Sequence, residues 1–278
     1  MARQPLTLPQ AAEALGVHYM TVYRYVRTGR LPATRVAGTW QIDPADLRLV
    51  RRPAPGARRR RPTGPEPSRA RLEARLVAGD EAGAWTLLEA ALASELTPED
   101  LLLELIAPTL GAVGSRWERG ELSVADEHRA SVVATRLVSR LGARFARKGV
   151  KRGTVVLAAA PGELHALPIA IAANLLRWRG FDVVELGADT PPEALAEAAA
   201  READLVAVGL ACTSGDAGRS VRRAITLAHR AAPGVPLLLG GAAIADEDHA
   251  RRLGADIFTG DRADAVVHAV EAIVAGPG

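Results

Sequence analysis

The sequence predicts a multidomain chain: a small winged helix-turn-helix, a four-helix bundle, and an α/β domain on a doubly wound parallel sheet. Three observations predict it. Basic charge crowds the first quarter of the chain. An all-helical apolar rhythm fills the middle. From residue 153 onward, short apolar runs alternate with helical stretches, the signature of a parallel sheet. At 278 residues, two or three domains are expected, and the boundaries fall at 1–50, 51–68, 69–149 and 150–278.

Residues 6–50 read as helix, turn, helix and hairpin. Thr7 caps a first helix that has Pro9 near its start and carries Ala11, Ala12, Ala14 and Leu15. Gly16 ends it, a second helix runs from about residue 18 or 21 to residue 28, and Gly29 stops that one. Two short strands, 31–36 and 39–42, flank Ala37-Gly38, and Asp43-Pro44 opens one more helical turn. Residues 51–68 set Arg58, Arg59, Arg60 and Arg61 among five prolines, a composition that buries no core and reads as an extended linker.

From residue 69 to about 148, apolar residues recur at helix spacing: Leu72 and Leu76; Trp85, Leu88 and Leu92; Leu101, Leu102, Leu105, Ile106 and Leu110; Val132, Val133, Leu137 and Leu141. Four helices with short connections imply a compact bundle. Beyond it, strands are expected at 154–160, 183–186, 205–210, 236–239 and 256–259. Helices are expected at 192–201, 219–231, 247–253 and 263–274.

Composition narrows the function classes. Hydrophobic residues make up 48% and aromatics only 4%, so Ala, Leu and Val do most of the packing. Cys212 is the sole cysteine, which rules out an intrachain disulfide and fits a reducing compartment. No signal peptide opens the chain and no apolar run approaches bilayer length, so a soluble cytoplasmic protein with no membrane partner is expected. Residues 1–68 hold twelve Arg and no Lys against four acidic groups, a net +8; the total of +3 leaves −5 for the rest. Such concentration is the footprint of a nucleic-acid contact. No P-loop, Ser-His-Asp order or zinc-type cysteine spacing is present, and no enzyme activity is expected.

One stretch carries most of the chemistry: Pro161-Gly162-Glu163-Leu164-His165, placed where a buried strand ends and a helix begins. In an open α/β sheet, ligands bind beyond the carboxyl ends of the strands. A histidine there offers a ring nitrogen to a metal, and a carboxylate two residues earlier fixes its tautomer and raises its basicity. A second carboxylate–histidine pair, Glu127-His128, lies upstream in a helical segment. His18, His229, His249 and His268 show no partner pattern.

The N-terminal pattern Leu8-Pro9-Gln10-Ala11-Ala12, Gly16-Val17-His18 and Val22-Tyr23-Arg24-Tyr25-Val26 resembles the excisionase and MerR-like winged helix-turn-helix families. The resemblance implies a recognition helix offering Tyr19, Thr21, Tyr23, Arg24 and Arg27 to a double-stranded DNA operator. Arg30 and Arg35 would neutralise phosphates. A protein-interaction helix-turn-helix is the bland alternative. The arginine run at 58–61 is either a phosphate-contacting arm or a solvated charge run.

The C-terminal domain resembles the cobalamin-binding domains of methionine synthase, corrinoid methyltransferase proteins and B12 mutases, which carry Asp-x-His-x-x-Gly. Here the place reads Glu163-Leu164-His165-Ala166-Leu167-Pro168, with Glu for Asp and Pro168 for Gly. Further similarity lies in Leu186-Gly187-Ala188-Asp189-Thr190-Pro191, Cys212-Thr213-Ser214-Gly215, Gly240-Gly241 and Thr259-Gly260-Asp261. The resemblance implies a flavodoxin-like (Rossmann-type) fold, with His165 as lower cobalt ligand backed by Glu163. Gly187, Asp189, Thr213 and Ser214, with Gly240, Gly241, Thr259 and Gly260, would line the slot for the cofactor's nucleotide tail. A flavodoxin-like receiver with an incidental His165 is the alternative.

Trp117, nine residues, then Glu127-His128 is similar to the CarH-type adenosylcobalamin-dependent photoreceptors. That resemblance implies adenosylcobalamin as chromophore, with Trp117 beside the adenosyl group and Glu127 helping to hold it. It also implies that His128 becomes the upper cobalt ligand after light. The expected function is a light-responsive transcriptional repressor, a homo-oligomer (dimer or tetramer) in the dark. A cobalamin-level sensor, a methyl-carrying corrinoid protein and a scaffold that has lost its cofactor are the alternatives.

Overall fold

The computed structural model describes residues 5–15, 22–23, 25–26, 31–36, 39–50, 69–93, 96–145, 149–214 and 218–276. Tyr19, Thr21, Arg24, Arg27 and Arg30, the Ala37-Gly38 turn, the 51–68 segment and Gly215 lie outside the described residues. The chain divides into two compact units. One holds Met1–Ala90 with Pro108–Val133, the other Ala91–Ala107 with Ala134–Gly278.

In the first unit, α1 spans Leu8–Leu15. The Thr7 amide and hydroxyl donate to Gln10 Oε1 at 2.9 and 3.0 Å, so the helix start is tied down as its sequence suggests. Leu8, Ala11 and Ala12 bury one face against Val22, Val26, Leu31, Ile42 and Leu47. Strands β1 (Thr34–Val36) and β2 (Thr39–Gln41) form an antiparallel pair with Thr34 opposite Gln41. Asp43 then caps a short 3-10 helix, Pro44–Leu49, by accepting from the Ala45 amide at 2.8 Å.

Helices α2 (Arg69–Ala78) and α3 (Glu81–Ala93) follow. Asp80 between them accepts from the Gly83 amide at 2.8 Å and pairs with Arg75 at 2.5 Å. After a turn at Pro98–Asp100 comes a widened, π-helical stretch, Leu101–Ile106, and then α4 (Ala107–Glu118). Pro108 supplies a physical cause for the widening: it has no N–H for the carbonyl four residues back and its ring crowds that carbonyl. Gly120, at φ 74°, ends α4, and its amide returns to the Trp117 carbonyl at 2.9 Å. α5 (Val124–Phe145) opens on a reciprocal cap, in which Ser123 and Asp126 each accept from the other's amide at 3.1 Å. Most of the expected apolar repeat is buried, from Leu72 to Leu141. Val132 departs from it: at 52% exposure it belongs to the solvated face, because Val133, one residue on, takes the inward position.

The second unit contains the sheet. β3 (Thr154–Ala159), β4 (Asp182–Glu185), β5 (Leu205–Ala211), β6 (Leu237–Gly240) and β7 (Ile257–Phe258) lie in the order β4-β3-β5-β6-β7, all parallel. Each expected strand is present within one residue at most boundaries, and the sheet is doubly wound. Val156, Ala158 and Ala160 turn toward a core shared with α7 (Pro192–Arg201), α8 (Arg219–Ala231) and α9 (Glu247–Leu253). By strand alternation, Val155, Leu157 and Ala159 face the other way, where α6 (Leu167–Trp178) and α10 (Ala263–Ala275) pack on each other. The strand order reverses direction between β3 and β5. That crevice is the switch point at which such sheets bind ligands.

Candidate functional site

The turn after β3 is built before any ligand is considered. Gly162 takes φ 82°, open to glycine without strain, and donates to Asp189 Oδ1 at 2.7 Å. The Asp189 amide, from a residue at φ 45°, donates back to the Glu163 carbonyl at 2.8 Å. The Ala159 amide reaches the Gly187 carbonyl at 2.8 Å. The loops after β3 and β4 are therefore stitched together, and Asp189 is a staple between them. Pro168 sits in the first turn of α6, where a missing N–H is harmless. Glu163 and His165 thus leave the strand end on a fixed backbone.

Glu163 is 1% exposed, in a place where a lone carboxylate would be costly. It is far from alone. Oε1 accepts from the His165 amide at 2.8 Å and faces His165 Nδ1 at 2.5 Å. Oε2 accepts from the Thr213 amide, the Thr213 hydroxyl and the Ser214 amide, each at 2.6 Å, and Ser214 Oγ donates at 3.2 Å to Oε1. Thr213 and Ser214 follow β5, so the carboxylate bridges the switch point from β3 to β5. Burial pushes its pKa up, but donation by the His165 ring, the Thr213 hydroxyl and the backbone amides outweighs it and holds the carboxyl at about 2.

An ionised carboxylate against Nδ1 keeps the proton on that nitrogen. The lone pair of the neutral ring is then on Nε2, turned away from Glu163. The His165 side chain is 58% exposed. The arrangement is a buried clamp holding an accessible imidazole in one tautomer, suited to a transition metal.

A second group of predicted residues forms a close backbone junction. The Gly241 amide donates to the Gly260 carbonyl at 2.6 Å, and the Cys212 amide to the Gly240 carbonyl at 2.8 Å. A Cβ on Gly240 would stand 2.3 Å from Thr259 Oγ1, and one on Gly241 2.3 Å from the Cys212 carbonyl oxygen. Only glycine fits there, as the sequence suggests. Thr259 is buried at 7% exposure, and Thr213 and Ser214 are half-buried. Thr190, in the 186–191 stretch that carries the similarity, is 4% exposed with its hydroxyl on the Gly187 carbonyl at 3.3 Å.

Trp117, Glu127 and His128 lie in the first unit. Trp117 is half-buried near the end of α4. Glu127 accepts from Ser131 Oγ at 2.7 Å and pairs with His128 Nδ1 at 2.9 Å. His128 itself is 74% exposed at its side chain. The cost of burying a histidine on an apolar helix therefore does not arise here: the ring stands on the outer face, four residues from exposed Val124 and Val132. In the head, Tyr23 packs partly on the local core and the Arg35 guanidinium lies 5.9 Å from the Trp40 ring centroid. His229 does have partners, the Gly254 carbonyl at 3.2 Å and Asp256 at 3.5 Å, and His249 Nδ1 accepts from the Ala245 amide at 3.2 Å. The partners of His229 lie 25 and 27 residues on, too far to leave a spacing pattern in sequence.

A B12 binding domain model matches residues 153–270. A second B12 binding domain model matches residues 68–141, and a helix-turn-helix domain model matches residues 5–50. The HTH-type transcriptional repressor CarH of Myxococcus xanthus is 38% identical over 170 residues, 60% of this chain and 55% of that protein. The match thus spans about half the length of that relative. The dimethylamine corrinoid protein of Methanosarcina barkeri is 28% identical over 184 residues, covering 64% of this chain and 84% of it. Among solved structures, the monomethylamine corrinoid protein of Methanosarcina barkeri superposes with a TM-score of 0.59 at 21% identity, over 72% of this chain and 95% of that one, which bears on the fold alone. The resemblance to CarH-type regulators holds in domain order: a helix-turn-helix match precedes two B12 binding domain matches along the chain. Among the described residues no helix is long and apolar enough to cross a membrane.

The residues at the switch point fit a cobalamin. The exposed His165 imidazole, fixed by a buried carboxylate, is a nitrogen donor of the kind that cobalt would accept.

Proposed function

We propose that the protein is a cytoplasmic, light-responsive transcriptional repressor that carries adenosylcobalamin and binds double-stranded DNA. The observation that carries the reading is the buried Glu163 carboxylate fixing an accessible His165 at the switch point of a B12 binding domain. When bound, adenosylcobalamin supplies a cobalt–carbon bond that light can break. His165 would hold the cobalt through Nε2, with Glu163 keeping the proton on Nδ1. Gly187, Asp189, Thr213, Ser214, Gly240, Gly241, Thr259 and Gly260 would line the slot for the nucleotide tail.

The helical segment 69–149 would act as a four-helix cap, with Trp117 and Glu127 holding the upper group. His128 would offer a second imidazole once that group has left. The hairpin after the helix-turn-helix would serve as a wing, and Tyr19, Thr21, Tyr23, Arg24, Arg27, Arg30 and Arg35 would meet the operator. A dark homo-oligomer that dissociates in light completes the reading.

A methyl-carrying corrinoid protein is the second reading, favoured by the match over 84% of a dimethylamine corrinoid protein. The helix-turn-helix match at residues 5–50 weighs against it, since a methyl carrier has no use for such a head. The deciding experiment is an absorption spectrum of protein loaded with adenosylcobalamin in darkness, repeated after green light. A shift to the spectrum of cobalamin with two imidazole ligands, lost in His128→Ala, is expected. A spectrum and DNA affinity unchanged by light would reject the photoreceptor and leave the sensor or the carrier.

A further inference from the structure

Helix α8 (Arg219–Ala231) has two unlike faces. Val221, Ala224, Ile225 and Ala228 are buried against the sheet. At 100° per residue, Arg219, Arg223, Thr226 and Arg230 fall within a 60° sector on the opposite side, with Arg222 beside them, and all five are exposed. The helix contains no acidic residue. Arg223 is paired with Glu193 of α7 at 2.5 Å. Arg219, Arg222 and Arg230 form no ion pair among the described residues. The surrounding domain is acidic: residues 150–278 hold twelve Lys and Arg against sixteen Asp and Glu, a net −4. A run of uncompensated arginines on such a background is a local feature, not a reflection of overall charge.

We propose that the outer face of α8 is a second contact for the phosphate backbone of double-stranded DNA, distinct from the helix-turn-helix head. The choice of DNA over another polyanion rests on the regulator reading above. Three points on the helix favour it. The cations are all arginine, whose planar fork suits phosphate oxygens. They form a straight row about 16 Å long, at ~1.5 Å per residue. Duplex DNA presents roughly one charge per 1.7 Å of axis, so such a row meets several phosphates at once. Contacts of this kind position the protein without reading sequence.

The test uses the full chain loaded with cobalamin and a mixed-sequence duplex, with affinity followed by fluorescence anisotropy as salt is varied. The triple variant Arg219→Gln/Arg222→Gln/Arg230→Gln is expected to bind about tenfold or more weakly, with a log–log salt slope shallower by about 3. Its cobalamin spectrum should match that of the parent, which reports an intact domain. Arg35→Gln, in the head, tests the regulator reading separately. A triple variant with unchanged affinity and slope overturns the second contact while a weakened Arg35→Gln leaves the head reading standing. If the triple variant instead changes the oligomeric state seen by light scattering without DNA, and the slope stays, the face joins copies of the chain and the proposal is overturned. Absence of any DNA binding by the parent would overturn both.

Discussion

The chain carries two carboxylate–histidine pairs, and they are opposites. Glu163 is buried, accepts from the amides of His165, Thr213 and Ser214, and grips a ring two residues on across a tight turn. Glu127 is 22% exposed at its side chain, accepts from one serine hydroxyl, and touches its neighbouring ring on the surface of a helix. The same two residue types give an imidazole fixed by a buried carboxylate in one place and a solvated imidazole in the other. A static axial ligand needs the first kind. A group that engages only after an event can be the second.

The comparison breaks most visibly at the histidines. His165→Ala is expected to weaken cobalamin binding in the dark by more than about 100-fold, because it removes the nitrogen proposed to hold the cobalt, where loss of a supporting partner costs ~10–100-fold. His128→Ala should leave dark binding within about twofold. Equal losses in a titration followed by absorbance would erase the distinction.

The carboxylates come next. Glu163→Gln keeps the volume but turns an acceptor oxygen into a donor facing the Thr213 and Ser214 amides, so ~1–3 kcal/mol of stability should go, together with ~10–100-fold in cobalamin affinity. Glu127→Gln should cost less than about 0.5 kcal/mol. Urea unfolding of the two variants side by side measures this.

Acidification sharpens the same point. The Glu163 carboxyl is held at about 2, below the ordinary 4.5. Its contribution to stability is therefore complete above about pH 4.5 and is lost as pH falls toward 2. The gap in Tm between the parent and Glu163→Gln should be constant from pH 7 to about 5 and close below that. A gap that widens in acid would contradict the assignment.

A smaller effect than that of Glu163→Gln is expected at Ser214. Its hydroxyl lies 3.2 Å from Oε1, longer than the 2.6 Å amide bonds, so Ser214→Ala should cost about 0.5–1.5 kcal/mol. Ser131→Ala, at the exposed pair, should be near zero in the same unfolding assay.

Much of this was legible beforehand for identifiable reasons. The strands after residue 153 are short apolar runs bounded by glycine, and α7, α8 and α9 start and end where their periodicity does. Gly240 and Gly241 announce a close approach because no other residue tolerates one. Val132 misled because adjacent valines at 132 and 133 fit the helical rhythm equally, and only packing chooses between them. The exposure of His128 was also illegible: a Glu-His step on a helix does not state which way the face turns. The partners of His229 lie 25 and 27 residues away, beyond any local pattern.

The sequence by itself determined the alternation of elements, the Glu-x-His turn at a strand end and the glycines that permit strand ends to touch. These are local matters of periodicity, turn chemistry and the absence of a Cβ. Tertiary structure alone decided that Thr213 and Ser214, fifty residues on, would surround Glu163, and that Asp189 would staple two loops. It also decided that three arginines of α8 would face outward together. The reason is the strand order: placing β5 directly beside β3 brings distant chain ends to one crevice, and no spacing in the sequence records that neighbourhood.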